Sequence, residues 1–360
     1  MAMQQLDRSR SRPISSRRDF LQFSALLAVL GSARCAAPSP EGELVPFGST
    51  DLFVSRLCQG TAFRETERSP DNPVGQAILR RCLDLGVNFF DSSNAYGWGG
   101  AEMALGKAIQ GHPRDKLVIC TKVHPGSKPE GNKSSKPVEF TREFAFRECD
   151  GSLRRLGTDY VDLYLLHNPT ETVPIEQVAD TMDDLVQSGK VRYWGLSNHT
   201  PNDIRAALEH VASGGRNSPA GLQHYFNIVG RQAPEQTVPS LEQELFPLIR
   251  EHKLGLQAFS PLAAGKLAPG REPGDGSPLA DVIGVMDEVA GDLAATRPQV
   301  AIAWVLSYPE VTSALAGAEK PEHVEDNVVG SRLALPSDAL ATLNAASEAY
   351  IRATTSQESS

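Results

Sequence analysis

The chain of 360 residues lacks three features that would place it in a simple class. It has no apolar run near the roughly 20 residues that a membrane-spanning helix needs, so we expect no stable membrane span after processing. It has no internal repeat and no long low-complexity tract. It also has no Gly-x-Gly-x-x-Gly motif, because the glycines of Gly97-Trp98-Gly99-Gly100 have the wrong spacing, so a Rossmann nucleotide site is not indicated.

Cysteine is scarce as well, with five residues in the whole chain. Cys58, Cys82, Cys120 and Cys149 show neither close pairing nor the spacing of metal ligands. We therefore interpret these four as buried small hydrophobic residues and expect no metal site.

Acidic residues outnumber basic ones outside the first 37 residues. That segment holds six arginines and two aspartates, which gives it a net charge of +4. Because the whole chain has a formal net charge of −9, the remaining residues have a net charge of −13. A chain this acidic is not expected to bind the phosphate backbone of a nucleic acid.

The first 37 residues have the zones of an export signal. Arg17-Arg18-Asp19-Phe20-Leu21 is basic at its start, Ser24 to Gly31 is apolar, and small residues follow at Ala33 and Ala37. The paired arginines resemble the twin-arginine signal, which implies the twin-arginine export machinery as a partner and an exported, periplasmic mature protein. An amphipathic or disordered N-terminal arm is the alternative.

The rest of the chain is organised around the stretch from Val87 to Gly97. Its apolar residues stop at Asp91, and small polar residues, Tyr96 and a glycine follow. This is the pattern of a buried strand that leads into a functional loop. At the carboxyl edge of a parallel sheet, Asp91 and Tyr96 would lie side by side where such sheets bind ligands.

Strand and helix patterns then alternate eight times over residues 44–346, which predicts one closed parallel barrel. A hairpin is expected at 44–54, and residues 347–360 are expected to form a C-terminal tail. A polar insertion from His124 to Pro137 is expected to be a loop on the active-site side. The eight strands are expected at 56–61, 87–91, 117–122, 161–166, 191–198, 221–227, 254–262 and 312–318.

Four residues at strand ends carry a resemblance to the aldo-keto reductase family. Asp91 and Tyr96 follow the second barrel strand, Lys122 ends the third, and His167 ends the fourth in Leu165-Leu166-His167-Asn168-Pro169. Gly195-Leu196-Ser197-Asn198 and Ala258-Phe259-Ser260-Pro261-Leu262 are also similar to family segments. The resemblance implies a (β/α)₈ TIM barrel whose N-terminal hairpin closes the bottom, and a catalytic tetrad of Asp91, Tyr96, Lys122 and His167.

The resemblance also implies a nicotinamide cofactor, with NADP(H) expected first and NAD(H) as the alternative. Arg or Lys commonly stands in related enzymes where this chain has Ala318, Glu319 or His323, which weakens the case for a 2′-phosphate site. Phe259 replaces a more common Tyr and retains an aromatic face for stacking. The cofactor contacts implied are Gly60, Thr61, Asp91, Ser197, Asn198, Gln223, Phe259, Ser260, Leu262, Lys266, Gly317, Lys320, His323, Asp326 and Asn327.

The expected reaction is the reversible reduction of an aldehyde, ketone or sugar carbonyl by hydride from the nicotinamide. Tyr96 would donate the proton, and Lys122 would lower the pKa of that phenol. Asp91 would hold Lys122 in place, while His167 would orient the substrate oxygen. The alternative is a nucleotide-binding regulatory or scaffold protein of the same fold, resembling the potassium-channel β subunits, with little turnover.

Overall fold

The computed structural model describes residues 44–125, 139–170, 173–231, 241–274 and 276–358. The expected export signal lies outside these residues, and so does the expected polar insertion from residue 126 onward. The described chain begins with an antiparallel hairpin of two short strands, β1 (Leu44–Pro46) and β2 (Phe53–Ser55). The hairpin prediction is thus confirmed.

Eight further strands form a closed barrel in which every neighbouring pair is parallel. Each strand pairs with the next along the chain, and the last pairs with the first. The strands are β3 (Leu57–Gly60), β4 (Phe89–Asp91), β5 (Val118–Val123), β6 (Val161–Leu166), β7 (Val191–Ser197), β8 (Gly221–Tyr225), β9 (Gly255–Phe259) and β10 (Ser313–Gly317).

Helices connect the strands and surround the barrel, which confirms the predicted (β/α)₈ class. They are α1 (Pro73–Asp84), α2 (Gly100–Ala108), α3 (Arg142–Leu156), α4 (Ile175–Gln187), α5 (Pro201–Gly214), α6 (Phe246–His252), α7 (Pro278–Asp292), α8 (Arg297–Leu306), α9 (Pro321–Gly330) and α10 (Ser337–Glu358). None of these described helices combines the length and apolar character that crossing a bilayer requires.

Helix boundaries follow local signals in the sequence. The Asn72 side chain accepts hydrogen bonds from the first-turn backbone of α1, which begins with Pro73. Thr200 and Asp203 form a reciprocal capping box at the start of α5. Gly157 ends α3 in the left-handed conformation at φ 67°, which glycine adopts without steric cost.

The hairpin closes the amino end of the barrel through Phe47. This ring is fully buried and packs edge-on against Phe89, with ring centroids 5.7 Å apart. Gly221 and Gly255 leave the space it needs, because a Cβ added at either position would lie 2.5 Å from the Phe47 ring. The carboxyl ends of the strands are thus the end of the barrel left for a site.

Two further predictions concern the C-terminus and the cysteines. Helix α10 runs through residue 346 to Glu358, so the residues expected to form a tail are helical up to that point. Cys58, Cys82, Cys120 and Cys149 are buried and free of disulfides. Burial raises the pKa of all four thiols, which keeps them in the neutral form of a small hydrophobic residue.

Candidate active site

The four residues of the predicted tetrad converge at the carboxyl end of the barrel. Asp91 is the last residue of β4, Lys122 lies near the end of β5, and His167 directly follows β6. Tyr96 begins a short helical turn, Tyr96–Gly99, in the loop after β4. Residues 76 positions apart in sequence thus share one site because parallel strands end at the same rim.

A buried ion pair lies at the centre of the site. Lys122 Nζ donates to Asp91 Oδ1 at 2.6 Å and to the Ser92 carbonyl oxygen at 2.8 Å, and it lies 3.4 Å from the Tyr96 hydroxyl. The Lys122 side chain has no exposed surface, and that of Asp91 is 2% exposed. The ammonium group is therefore fixed between one carboxylate and one phenol.

Strand-end amides hold the second oxygen of the carboxylate. Gln223 Nε2 donates to Asp91 Oδ2 at 2.8 Å and lies 3.1 Å from Gln257 Oε1. Thr61 ties the first two barrel strands together, since its hydroxyl donates to the Asp91 backbone carbonyl at 3.0 Å. Asp91 is thus held on both oxygens and at its backbone, which limits where Lys122 can lie.

His167 lies on the other side of Tyr96. The two rings meet edge to face with centroids 5.6 Å apart, and His124 packs against His167 in the same manner at 5.4 Å. The Ser93 hydroxyl lies 3.2 Å from His167 Nδ1. The Asn198 side chain donates to the His167 carbonyl oxygen at 3.1 Å, which fixes the backbone that carries the imidazole.

Burial and charge set the protonation states. Burial, with a smaller contribution from Asp91, raises the pKa of Tyr96 above its ordinary value, and the opposing effect of Lys122 does not overcome burial. The expected lowering by Lys122 is present, but the expected net lowering is wrong. Burial acts to lower the pKa of Lys122, yet Asp91 and Tyr96 together raise it. Burial, then Lys122 and His124, lower the pKa of His167 to about 2. At neutral pH the site holds a protonated phenol, an ammonium and a neutral imidazole.

A cavity of about 890 Å³ opens above these residues. Thr61 and Lys122 lie beneath its wall, and Lys266 is exposed outside it. The predicted site residues that line the cavity are Gly60, Asp91, Tyr96, His167, Ser197, Asn198, Gln223, Phe259, Ser260, Leu262, Gly317, Lys320, His323, Asp326 and Asn327.

The strand ends in the cavity wall offer groups suited to a nicotinamide. The Ser197 hydroxyl is buried and has no hydrogen-bond partner among the described residues. Asn198 and Ser260, at the ends of β7 and β9, have positive φ values of 62° and 58°, conformations that non-glycine residues adopt rarely and mostly at functional sites. An unused buried hydroxyl, a nearby amide and the aromatic face of Phe259 fit a planar carboxamide ligand.

The far end of the cavity carries more carboxylates than the sequence suggested. The Glu319 carboxylate accepts hydrogen bonds from the backbone N–H groups of Arg64, Glu65 and Thr66, at 2.6 Å, 3.1 Å and 2.7 Å. Arg271 Nη2 lies 2.6 Å from Glu65 Oε1 and links the loops after β9 and β3. Glu322 and Asp326 line the same end.

Sequence reasoning missed these links across the cavity. Glu319 and Arg64 are 255 positions apart, and no local pattern predicts their contact. Ser93 was missed as a partner of His167, although its place two residues after Asp91 was a usable signal. Among the described residues no group of three or more His, Cys, Asp or Glu side chains is arranged to hold a metal ion.

A closed parallel barrel with a buried Asp–Lys pair, a half-buried tyrosine beside it and a neutral histidine at its carboxyl rim defines a carbonyl-reducing oxidoreductase of the TIM-barrel class. The Aldo/keto reductase family matches the chain over residues 56–348. The chain belongs to that family, whose members use NAD(P)H.

Similar proteins include enzymes and a protein described as a channel subunit. A protein of Schizosaccharomyces pombe described as a voltage-gated potassium channel subunit beta is 30% identical, covering 79% of this chain and 87% of its own length. The NADH-specific methylglyoxal reductase of Escherichia coli is 28% identical, covering 83% and 96%. A crystal structure of a thermostable aldo-keto reductase with the inhibitor epalrestat matches at a TM-score of 0.68 and 26% identity, covering 84% of this chain and 99% of that one.

Proposed function

We propose that this aldo-keto reductase reduces small aldehydes or ketones with Tyr96 as the proton donor. The observation that carries the proposal is the contact of the Tyr96 hydroxyl, which faces the cavity, with the buried Lys122–Asp91 ion pair. In such a reduction the hydride comes from the bound reduced nicotinamide. The raised pKa of Tyr96 keeps the proton on the phenol, where a developing alkoxide can take it.

Lys122 acts on the phenol oxygen of Tyr96, whereas His167 acts on the substrate oxygen. The ammonium stabilises the phenolate that remains after proton transfer, and Asp91 keeps the ammonium charged and in place. The neutral imidazole of His167 supplies a hydrogen bond without adding charge, since its pKa is about 2. Phe47 closes the barrel bottom, so the substrate would enter from the opposite end, through the cavity.

The test is the loss of reduced-nicotinamide absorbance by the chain lacking residues 1–37, given NADH or NADPH and a panel of aldehydes, ketones and sugars. Methylglyoxal belongs in the panel because a 28% identical relative reduces it. We expect turnover that Tyr96→Phe lowers by about 10²- to 10⁴-fold, the range for removing a general acid. Equal turnover by the wild type and Tyr96→Phe would contradict the assignment of Tyr96.

We further propose that the cavity favours NADH over NADPH, which reverses the order expected from the family resemblance. Glu65, Glu319, Glu322 and Asp326 line the cavity, and each would repel a 2′-phosphate. Three cations, Arg64, Arg271 and Lys320, line the cavity as well, but they are outnumbered by these four carboxylates, and Arg271 is already paired with Glu65. The NADH-specific relative supports the same preference.

Binding titrations followed by protein fluorescence test this preference without turnover. We expect NADH to bind more tightly than NADPH. Glu319→Gln removes one negative charge from the cavity, so it should reduce the difference in affinity between the two cofactors. Glu325→Gln is the matched control, because Glu325 lies on α9, the helix that follows Glu319, but pairs with Arg81, 2.7 Å away, and does not line the cavity. Tighter binding of NADPH by the wild type would refute the proposal.

A regulatory or scaffold role is the second candidate, favoured by the similarity to a protein described as a channel β subunit. Such a protein would bind nucleotide with little turnover. Tight nucleotide binding without oxidation across the whole carbonyl panel would favour this role over the reductase.

We also propose that residues 1–37 direct export through the twin-arginine machinery, and that the mature protein is periplasmic. The support is the order of basic, apolar and small-residue zones around Arg17-Arg18. Because that machinery carries folded proteins, the enzyme would leave with its cofactor bound. Cell fractionation tests this: Arg17→Lys combined with Arg18→Lys should leave the protein in the cytoplasm, and an unchanged distribution would refute the proposal.

A further inference from the structure

A serine next to the tetrad contacts His167 rather than the proton donor. Ser93 is fully buried, lies between Asp91 and Tyr96 in sequence, and contacts neither Lys122 nor the Tyr96 hydroxyl. Its hydroxyl lies 3.2 Å from His167 Nδ1 and accepts the Ala95 backbone N–H, also at 3.2 Å.

The hydrogen-bonding capacity of the Ser93 hydroxyl shows which group is the donor in its contact with His167. A serine hydroxyl has one hydrogen to donate and lone pairs to accept. The backbone N–H of Ala95 already uses one lone pair. Among the described residues, His167 Nδ1 is the one group within reach that can take the hydroxyl hydrogen. If Nδ1 carried the proton instead, the Ser93 hydrogen would be buried without an acceptor, an arrangement that proteins avoid.

We propose that Ser93 is a positioning residue that fixes His167 in the tautomer with the proton on Nε2. A neutral imidazole carries its single proton on one nitrogen, and the bond made by the other nitrogen selects which one. With Nδ1 accepting from Ser93, Nε2–H is the donor left to act on a substrate oxygen from the cavity wall. The opposite tautomer would present a lone pair to that oxygen and repel it.

Within the part of the chain that the structure describes, the neighbours of His167 supply no competing partner for Nδ1. The Asn198 side chain binds the backbone carbonyl of His167 rather than its ring, and the ring contacts of Tyr96 and His124 are edge to face. The backbone N–H of His167 is used as well, since it donates to the Val123 carbonyl oxygen at 2.9 Å. The backbone of His167 is thus held from two sides, and of the described side chains it is Ser93 that contacts Nδ1. The role rests on the proposed function, in which His167 binds the carbonyl oxygen.

Nitrogen-15 NMR of protein labelled at histidine reads the tautomer directly, because protonated and unprotonated ring nitrogens resonate in separate regions. The His167 signals are assigned by their loss in His167→Gln. In the wild type we expect a protonated Nε2 and an unprotonated, hydrogen-bonded Nδ1. In Ser93→Ala we expect the Nδ1 signal to shift and the two tautomers to mix.

Kinetics supply the second readout. Loss of one neutral hydrogen bond should lower kcat by roughly three- to tenfold, with KM nearly unchanged because the cavity wall is intact. Ser313→Ala is the matched control: Ser313 is also fully buried and donates to the Ser55 carbonyl oxygen at 2.8 Å, at the amino end of the barrel. It should leave the His167 signals and kcat unchanged.

Three results would overturn the proposal: a wild-type His167 protonated on Nδ1, a Ser93→Ala protein with wild-type signals and kcat, or equal effects from Ser313→Ala. The NMR result stands without turnover. A protonated Nε2 in a protein inactive toward every carbonyl would therefore refute the proposed reaction and leave the tautomer assignment intact.

Discussion

Replacing Asp91 by Asn should destabilise the whole barrel, because it leaves the Lys122 ammonium buried without a counter-charge. At 2.6 Å and an effective dielectric constant of about 20, Coulomb's law gives ~6 kcal/mol for the pair, which offsets the cost of removing both charges from water. Breaking one side of such a buried pair costs about 3–5 kcal/mol. For a domain of this size we expect the Tm to fall by roughly 6–10 °C.

The double variant Asp91→Asn with Lys122→Met separates stability from catalysis. Removing the second charge should restore most of the lost stability, because a well-packed apolar side chain often replaces a buried ion pair at no cost. Activity should not return, since the Tyr96 hydroxyl no longer has a cation 3.4 Å away to stabilise its anion.

Thermal unfolding followed by circular dichroism measures the first effect, and reduced-nicotinamide absorbance measures the second. A Tm for Asp91→Asn equal to that of the wild type would show that the pair does not stabilise the fold. A double variant less stable than Asp91→Asn alone would refute the electrostatic account, because then lost packing rather than an unpaired charge would explain the fall.

Three further predictions follow from burial. The rate of carbonyl reduction should be independent of pH from about 5 to 9 and should decline only above the ordinary pKa of a phenol. The reason is that the pKa of Tyr96 is raised and that of His167 is about 2. A step in kcat/KM near pH 6.5 would contradict this. Burial lowers the pKa of His224 to about 3. As the pH falls, the unfolded chain therefore takes up this proton before the folded protein does, and the free energy of unfolding should fall between about pH 6.5 and 3, by up to about 1.4 kcal/mol per pH unit. Denaturant titrations should show a weaker pH dependence of stability for His224→Gln. Phe47→Ala should cost about 3–5 kcal/mol and leave kcat intact, whereas Phe53→Ala, 56% exposed, should change stability little; equal losses in urea titrations would show that Phe47 does not close the barrel.

The fold was predictable because its signals are local, and the tetrad was predictable from those strand ends together with the family resemblance. Each apolar run that stops at a polar residue marks one strand end, and a parallel barrel places all eight ends at one rim. That rule brings Asp91, Lys122 and His167 together without any knowledge of tertiary contacts. The helices were also predictable from the sequence, because residues such as Asn72 and Gly157 set helix ends through their own side-chain and backbone chemistry.

Other features depend on burial and on contacts between distant segments, which the sequence does not display. The net direction of the Tyr96 pKa follows from how deeply the barrel buries the phenol, and that burial outweighs the nearby ammonium. The three backbone bonds to Glu319 and the link from Gln223 to Asp91 join residues more than 130 positions apart. The sequence by itself determined which residues reach the rim, because strand periodicity and strand ends are local. Only the tertiary structure decided their protonation and partners, because desolvation and hydrogen bonding depend on everything packed around each group.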